Sequence, residues 1–339
     1  MSTSLTEQRY LLPPSAYRAQ SWFEEERERL FRNRWALIAD SEELAAPGDF
    51  VTATLGDAPL VVVRDDDRGL RAFHNICRHR GMKLLDGRGN VGRQISCFYH
   101  QWRYALAGTL EVVPQRREQF PDLDVADWGL LPASVDVWEG MVFVHPDPAA
   151  PALTDYLGEL PAHLGGIRPG ALRQVATATF EMACNWKLFV ENHIDVYHLW
   201  YLHEDTLADY DHTKFEHRRL GEHWTSREPT RTGRASEWLG AHMLFPNMLM
   251  ANTPEYFLTY VAEPVAPDRT RLDLRIRAGA DADPEALLVL VRAFIEEDIA
   301  ACEAIQAASG SPVFAVGPLA RDHEAPIGAF HHDLLRRLA

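Results

Sequence analysis

Cys77-Arg78-His79 and Cys97-Phe98-Tyr99-His100 each place a thiol and an imidazole a few residues apart, with residues 80–96 between the two pairs. Thiolates are soft ligands and imidazoles borderline ones. Two such pairs can hold a [2Fe-2S] cluster with both Cys on one iron and both His on the other. Neutral imidazoles in place of two anionic thiolates raise the reduction potential above that of an all-Cys cluster, so the group can accept an electron and pass it on. The same four residues also suit a tetrahedral Cys2His2 zinc site. Against zinc, no finger-type helix follows, and Leu60-Val61-Val62-Val63 and Gln94-Ile95-Ser96 read as strands. A colourless purified protein would favour zinc.

A second constellation begins at Asn185-Trp186-Lys187, continues through Glu191-Asn192-His193-Ile194-Asp195-Val196-Tyr197-His198, and reaches His203 after four more residues. Two His and one carboxylate, with coordination positions left open, form the facial triad of non-heme Fe(II) oxygenases. A single His on an apolar helix is more often a packed core residue. On an ideal helix, residues five apart point about 140° apart. If His198 and His203 share a metal, either a π-type turn lies between them or a helix ends before His203. Asp195, three residues before His198, falls on the same helical face and can accept a hydrogen bond from that residue's non-coordinating nitrogen.

The spacing predicts a long helix over Pro284–Ala308 whose apolar residues Leu287, Val291, Phe294, Cys302 and Ile305 span about 80° of arc, with Asp298 inside that arc. Desolvation there raises a carboxyl pKa or forces a partner, and a metal is a natural one. A core salt bridge or a helix boundary is the alternative. Glu296 and Glu297 point away from the stripe and read as solvated.

Around these residues, 339 positions suffice for about two domains. With 46% hydrophobic residues the chain reads as globular throughout. Its net charge of −15, from 49 acidic and 34 basic side chains with no basic cluster, argues against nucleic acid. The acidity suits solubility and a basic electron-transfer partner. No apolar run reaches the roughly 18 residues of a membrane span. Met1–Glu7 lacks the features of a secretory signal, so the cytoplasm is expected. Cys184 and Cys302 read as reduced and buried.

Ser21-Trp22-Phe23-Glu24 matches a capping box opening a helix through Phe31 that ends near Asn33. Short β-branched and aromatic runs follow at Phe50–Thr54, Leu60–Val63, Leu70–His74 and Gly140–Val144, giving a small antiparallel β domain over 37–150 behind a helical leader over 1–36. Pro146-Asp147-Pro148-Ala149-Ala150-Pro151 marks a boundary. Beyond it, over 151–339, helices alternate with strands at Phe257–Ala262 and Thr270–Ile276. The chain as a whole is α+β.

Cys77-Arg78-His79-Arg80-Gly81 and Cys97-Phe98-Tyr99-His100-Gln101-Trp102-Arg103-Tyr104 resemble the cluster loops of Rieske domains in ring-hydroxylating oxygenases, with Phe98 in place of a Pro and Gln101 in place of a Gly. Asn185-Trp186-Lys187 with the segment from Glu191 to His203 resembles that family's mononuclear-iron motif. Glu297-Asp298 followed by Gln306 resembles its third-ligand helix, and Glu324–Ile327 with Phe330-His331 its closing segment. The resemblance runs from about Ser15 to the end of the chain. It implies Cys77, His79, Cys97 and His100 as cluster ligands and His198, His203 and Asp298 as iron ligands. It implies that Asn192 borders the iron, and that Asp195 links His100 of one subunit to His198 of the next in a head-to-tail ring.

By that resemblance the catalytic domain is of helix-grip type and the chain is a catalytic α subunit, working as a homotrimer with or without a β subunit. A separate NAD(P)H-dependent reductase, with or without a ferredoxin, supplies electrons. The Rieske cluster relays them to mononuclear Fe(II), and O2 is the co-substrate for mono- or dioxygenation of a small organic molecule. Trp200, Tyr201, Tyr210, Phe215, Trp224, Trp238, Met243, Phe245, Met248 and Met250 suggest walls for an aromatic or apolar guest. Aromatic cages also hold quaternary ammonium groups, and Ala183–Lys187 equally resembles the choline and betaine branch. Arg218, Arg219, Arg227 and Arg231 are candidates for a substrate carboxylate. A Rieske-type electron carrier and a metal-binding protein without turnover are the competing classes; the first leaves the second half of the chain unexplained.

Overall fold

The computed structural model describes residues 12–339 apart from 68, 233–236 and 315–316. Met1–Glu7, read above for a signal, lies outside the described residues. The chain divides into two compact units, one of residues 27–156 and one of residues through 26 together with 157–339.

In the first unit, β1 (Ala36–Asp40), β2 (Asp49–Leu55), β3 (Ala58–Arg64), β4 (Leu70–His74), β5 (Arg88–Asn90), β9 (Pro132–Trp138) and β10 (Met141–His145) make one sheet in the order β1-β10-β9-β4-β3-β2-β5. A smaller sheet pairs β6 (Gln94–Ser96), β7 (Arg103–Ala105) and β8 (Leu110–Val112), and a short helix α2 (Arg116–Gln119) follows it. All pairings are antiparallel. Leu60–Val63 is fully buried because β3 is central and covered on both faces. The β9–β10 hairpin closes on Glu139 and Gly140, both with positive φ, as the two-residue turns that match strand twist require.

The second unit carries β11 (Arg173–Met182), β12 (Glu216–Leu220), β13 (His223–Pro229), β14 (Trp238–Leu244), β15 (Met248–Asn252), β16 (Tyr256–Ala266) and β17 (Arg269–Ala278). They form an antiparallel sheet ordered β11-β17-β16-β15-β14-β13-β12. Its helices are α1 (Gln20–Glu26), α4 (Trp186–Ile194), α5 (Leu199–Leu202), α6 (Pro284–Ala308) and α7 (Ala325–Leu338), while α3 (Leu153–Leu157) contains the point along the chain, between residues 156 and 157, where one unit ends and the other resumes. Asn185 caps α4 by accepting from Lys187 N, and Asp283 caps α6 by accepting from Glu285 N and Ala286 N. The arrangement is α+β, with antiparallel sheets in both units.

The leader helix starts one residue earlier than its sequence signal. Ser21 lies inside α1, and Glu24 accepts from Gln20 Nε2 at 3.1 Å instead of closing a box with Ser21. After Glu26 the coil widens to a π turn over Arg27–Phe31. Glu26 is buried because its two oxygens take Lys187 Nζ at 2.6 Å and Trp186 Nε1 at 2.8 Å, which ties α1 to the start of α4. On α6 the buried stripe is Val291, Ile295, Cys302 and Gln306, while Ile305, expected inside it, is 45% exposed. Gln306 takes that place by accepting from Asn185 N at 2.9 Å and donating to Tyr17 O at 3.1 Å. Cys184 and Cys302 are free and buried. Among the described residues no helix is long and apolar enough to cross a membrane.

Candidate active site

In the 27–156 unit two short loops present the Cys/His pairs in near-matching turns. Cys77 N donates to Met82 O and Gly81 N to Cys77 O; Cys97 N donates to Trp102 O and Gln101 N to Cys97 O. Gly81 has φ +72° and Gln101 φ +59°, so Gln101 occupies the left-handed position that glycine fills in the other loop. Cys77 and Cys97 are buried, and His79 Nδ1 and His100 Nδ1 face each other at 3.2 Å. His79 stacks on Trp102, with ring centres 4.9 Å apart. Burial pushes the Cys77 thiol up, although the Tyr104 hydroxyl 3.4 Å from its Sγ works the other way. Tyr104 O accepts from Arg78 N at 3.0 Å, which leaves its own proton for the sulfur. Burial, then the charges of His100 and Arg80, hold His79 below the usual histidine range and thus neutral, as a metal ligand must be. Two buried thiols beside two converging imidazoles fit the donor set of a mixed-ligand [2Fe-2S] cluster.

In the other unit α4 stops at Ile194, and Asp195 follows in extended conformation (φ −86°, ψ 119°). The single turn α5 then has His198 at its N-cap and His203 just past its end, at φ −107°, ψ 33°. A helix end before His203, not a π turn, therefore brings the imidazoles together, with ring centres 5.2 Å apart. Asp298, from α6, aims one oxygen at both: Oδ1 lies 2.9 Å from His203 Nε2 and 3.5 Å from His198 Nε2. One ligand atom from each of His198, His203 and Asp298 falls within 4.8 Å of the others.

The outward-facing nitrogens have carboxylate partners too. Asp195 Oδ2 lies 3.2 Å from His198 Nδ1, off the line of a good hydrogen bond, while Asp195 Oδ1 accepts from Tyr197 N at 2.6 Å. Glu297 Oε2 lies 2.7 Å from His203 Nδ1 and accepts from Thr206 Oγ1 at 2.7 Å. Glu297, read from its helix alone as solvated, thus orients His203, because a side chain from a different element reaches it. The acidic Glu297-Asp298 dipeptide was the available signal. Asn192 does not line the cavity described below; its Oδ1 is buried with no hydrogen-bond partner among the described residues.

Burial lowers the His198 pKa, but Asp195 and Asp298 outweigh it and lift the imidazole to about 9. Burial likewise raises Asp298, and the two imidazoles overcome it, leaving the carboxyl below its ordinary range. The Nε2 atoms of both imidazoles face Asp298 Oδ1, so a divalent metal bound between them would compete with protons for these nitrogens. Two imidazoles, one carboxylate and outer carboxylate partners fit Fe(II).

A cavity of about 70 Å³ opens beside the triad. Strand alternation builds its sheet wall: Trp224, Ser226 and Glu228 from β13, and Tyr256, Leu258 and Tyr260 from β16. Leu199, Leu207 and Phe294 close the helical side. Of the ten wall residues expected from side-chain type, only Trp224 lines this cavity. Tyr201 is 73% exposed, and Met243 faces a second cavity shared with Trp224, Arg219 and Asp333. None of the four arginines reaches the triad cavity: Arg219 pairs with Asp333, Arg227 lies over Trp238, Arg231 donates to Tyr210 O, and Arg218 is exposed.

The family profile "Ring hydroxylating alpha subunit (catalytic domain)" matches residues 169–339, and "Rieske [2Fe-2S] domain" matches residues 34–132. Biphenyl 2,3-dioxygenase subunit alpha of Rhodococcus jostii (strain RHA1) is 34% identical over 192 residues, 55% of this chain and 42% of that one. The carnitine monooxygenase oxygenase subunit of Escherichia coli (strain K12) is 35% identical over 191 residues, 56% of this chain and 51% of its own. The chain thus aligns with about half the length of the curated relatives it matches. In fold it resembles a quaternary ammonium Rieske monooxygenase in complex with an inhibitor (TM-score 0.88, 24% identity, 98% of this chain and 97% of that one). It also resembles naphthalene 1,2-dioxygenase from Rhodococcus sp. bound to indole (TM-score 0.80, 21% identity, 96% and 94%). Taken with the mixed thiol and imidazole loops and the convergent His, His and Asp, these matches establish that the chain belongs to the ring-hydroxylating oxygenase alpha-subunit family, with a Rieske domain ahead of its catalytic domain.

Proposed function

We propose that this chain is the catalytic subunit of an oxygenase that inserts oxygen from O2 into a small organic molecule with an apolar or aromatic body. The observation that carries this reading is the convergence of His198 Nε2, His203 Nε2 and Asp298 Oδ1, with Asp195 and Glu297 behind the imidazoles. When bound, the Rieske cluster supplies one-electron relay and the mononuclear Fe(II) supplies O2 reduction. Cys77, His79, Cys97 and His100 hold the first group; His198, His203 and Asp298 hold the second. Glu297 fixes the outward nitrogen of His203, which sets its tautomer and ring direction, and Asp195 places a negative charge beside that of His198. Trp224, Leu258, Tyr260 and Phe294 exclude water and seat the guest against the triad.

The electrons come from a separate NAD(P)H-dependent reductase, directly or through a ferredoxin. The family likeness supports a cytoplasmic homotrimer in which Asp195 of one subunit meets His100 of its neighbour, with a β subunit compatible. A second reading, oxidative demethylation or hydroxylation of a quaternary ammonium or N-methyl compound, has its own support: aromatic rings and the Glu228 carboxyl line one cavity, and relatives named for carnitine and quaternary ammonium compounds share the fold.

Metal analysis separates an oxygenase, with about three Fe per chain, from a carrier with about two and a zinc protein with none. NADH-dependent O2 uptake with a surrogate reductase, and mass spectrometry for hydroxylated or demethylated products, test turnover. Its absence with every candidate substrate would remove the oxygenase reading.

A further inference from the structure

Glu228 is a buried carboxyl in the wall of a mostly apolar cavity. It stands on β13 in the same alternation as Trp224 and Ser226, so its side chain is committed to the inner face of the sheet. It is only 2% exposed, and in its one hydrogen bond among the described residues Oε2 accepts from His212 Nδ1 at 2.5 Å. His212 is equally buried, opens the short turn His212–Lys214, and packs edge-on against Trp200 at 5.3 Å. Glu228 Oε1 accepts no hydrogen bond among the described residues, although the residue lines the cavity. That oxygen keeps its access to the cavity, so its partner must come from the cavity's contents. Retention of that oxygen on the wall of the triad cavity has a physical rationale when a guest supplies the missing donor.

We propose that Glu228, steadied by His212, is the specificity-determining residue of this cavity, and that the guest is a small apolar or aromatic molecule bearing an O–H or N–H donor that Oε1 accepts. This rests on the oxygenase reading only for what happens to the guest next; the recognition stands on the cavity. Nothing else in the wall offers an acidic acceptor without a metal-site role, since Asp195 and Asp298 belong to the triad. His212 holds Glu228 from behind, so the carboxyl does not need to reorganise as the guest enters. A site built around such an acceptor discriminates strongly against an analogue lacking the donor, because that analogue strands the carboxyl.

The test is isothermal titration calorimetry on the iron-replete protein with p-cresol, p-xylene and tetramethylammonium. The first two differ by one hydroxyl, and the third is a cation without a donor. The wild type is expected to bind p-cresol at least about tenfold tighter than p-xylene, and Glu228→Ala to erase that preference, with p-xylene binding tighter once no carboxyl is stranded. Glu228→Gln, which keeps the shape with a weaker acceptor, is expected to lower p-cresol affinity alone. Iron content and the visible spectrum of the cluster verify that each variant is folded. Equal binding of the two aromatics, no binding of p-cresol, a preference that survives Glu228→Ala, or tetramethylammonium as the tightest ligand would each overturn the proposal. Loss of O2 uptake with the p-cresol preference intact counts against the oxygenase and not against Glu228. Uptake without the preference does the reverse.

Discussion

In the 27–156 unit the candidate ligands arrive on two short loops, each carrying one thiol and one imidazole, and no carboxylate enters the set. In the other unit the ligands arrive from a single helical turn and from α6, ninety-odd residues away, and carboxylates stand both among the donors and behind them. The first site is assembled by local backbone geometry and the second by packing of distant elements. Their protonation differs accordingly: His79 is pulled below the ordinary histidine range, whereas His198 is lifted to about 9. His79 can receive metal without first losing the proton of a cationic ring, whereas His198 must release one.

The contrast breaks most visibly if the two sites are not separable. His203→Ala is expected to abolish turnover while the visible spectrum of the cluster is unchanged; loss of both together would show that the sites share one folding unit. Acid should expose a second difference. Burial holds His193, which lines the triad cavity, and His242, whose carbonyl His193 contacts, at about 4, so both are neutral in the folded state at pH 7. Since their unfolded value is about 6.5, the unfolded chain binds more protons below that point. Their contribution is therefore intact above about pH 6.5 and lost as pH falls toward 4, at up to about 3 kcal/mol per residue. Chemical denaturation between pH 7 and pH 4 measures it, and a flat profile would contradict the burial assigned to these histidines.

Glu297→Ala tests whether outer carboxylates matter at the second site. Iron affinity is expected to fall about 10- to 100-fold in a competition titration with a chelator, with cluster content unaltered. The smallest effect belongs to the loop geometry of the first site. Gln101→Gly removes a side chain from a left-handed position and should stabilise the unit by about 1 kcal/mol in denaturant titration. Destabilisation would mean that the Gln101 Nε2 bond to Phe98 O outweighs the strain.

Both sites were legible in the sequence to the degree that their ligands announce themselves locally. The Cys/His pairs needed only their own loops. Asp298 could be found because it interrupts an apolar stripe on its own helix, and the five-residue spacing of His198 and His203 already demanded a broken helix. Glu297 was missed because its role depends on His203, which reaches it from another element. The cavity wall was misread because large side chains were chosen by type. On β13 strand parity decides instead, turning Trp224, Ser226 and Glu228 inward, while Tyr201 on α5 is left in solvent. Ile305 fell off its stripe by one position because Gln306 fills the place through hydrogen bonds to Asn185 and Tyr17.

Iron quantification on anaerobically purified protein, wild type against Asp298→Ala, addresses the central claim most directly. About three Fe per wild-type chain and about two in the variant, with the same cluster absorbance in both, is the predicted result. Equal iron in the two proteins would contradict a mononuclear site at His198, His203 and Asp298.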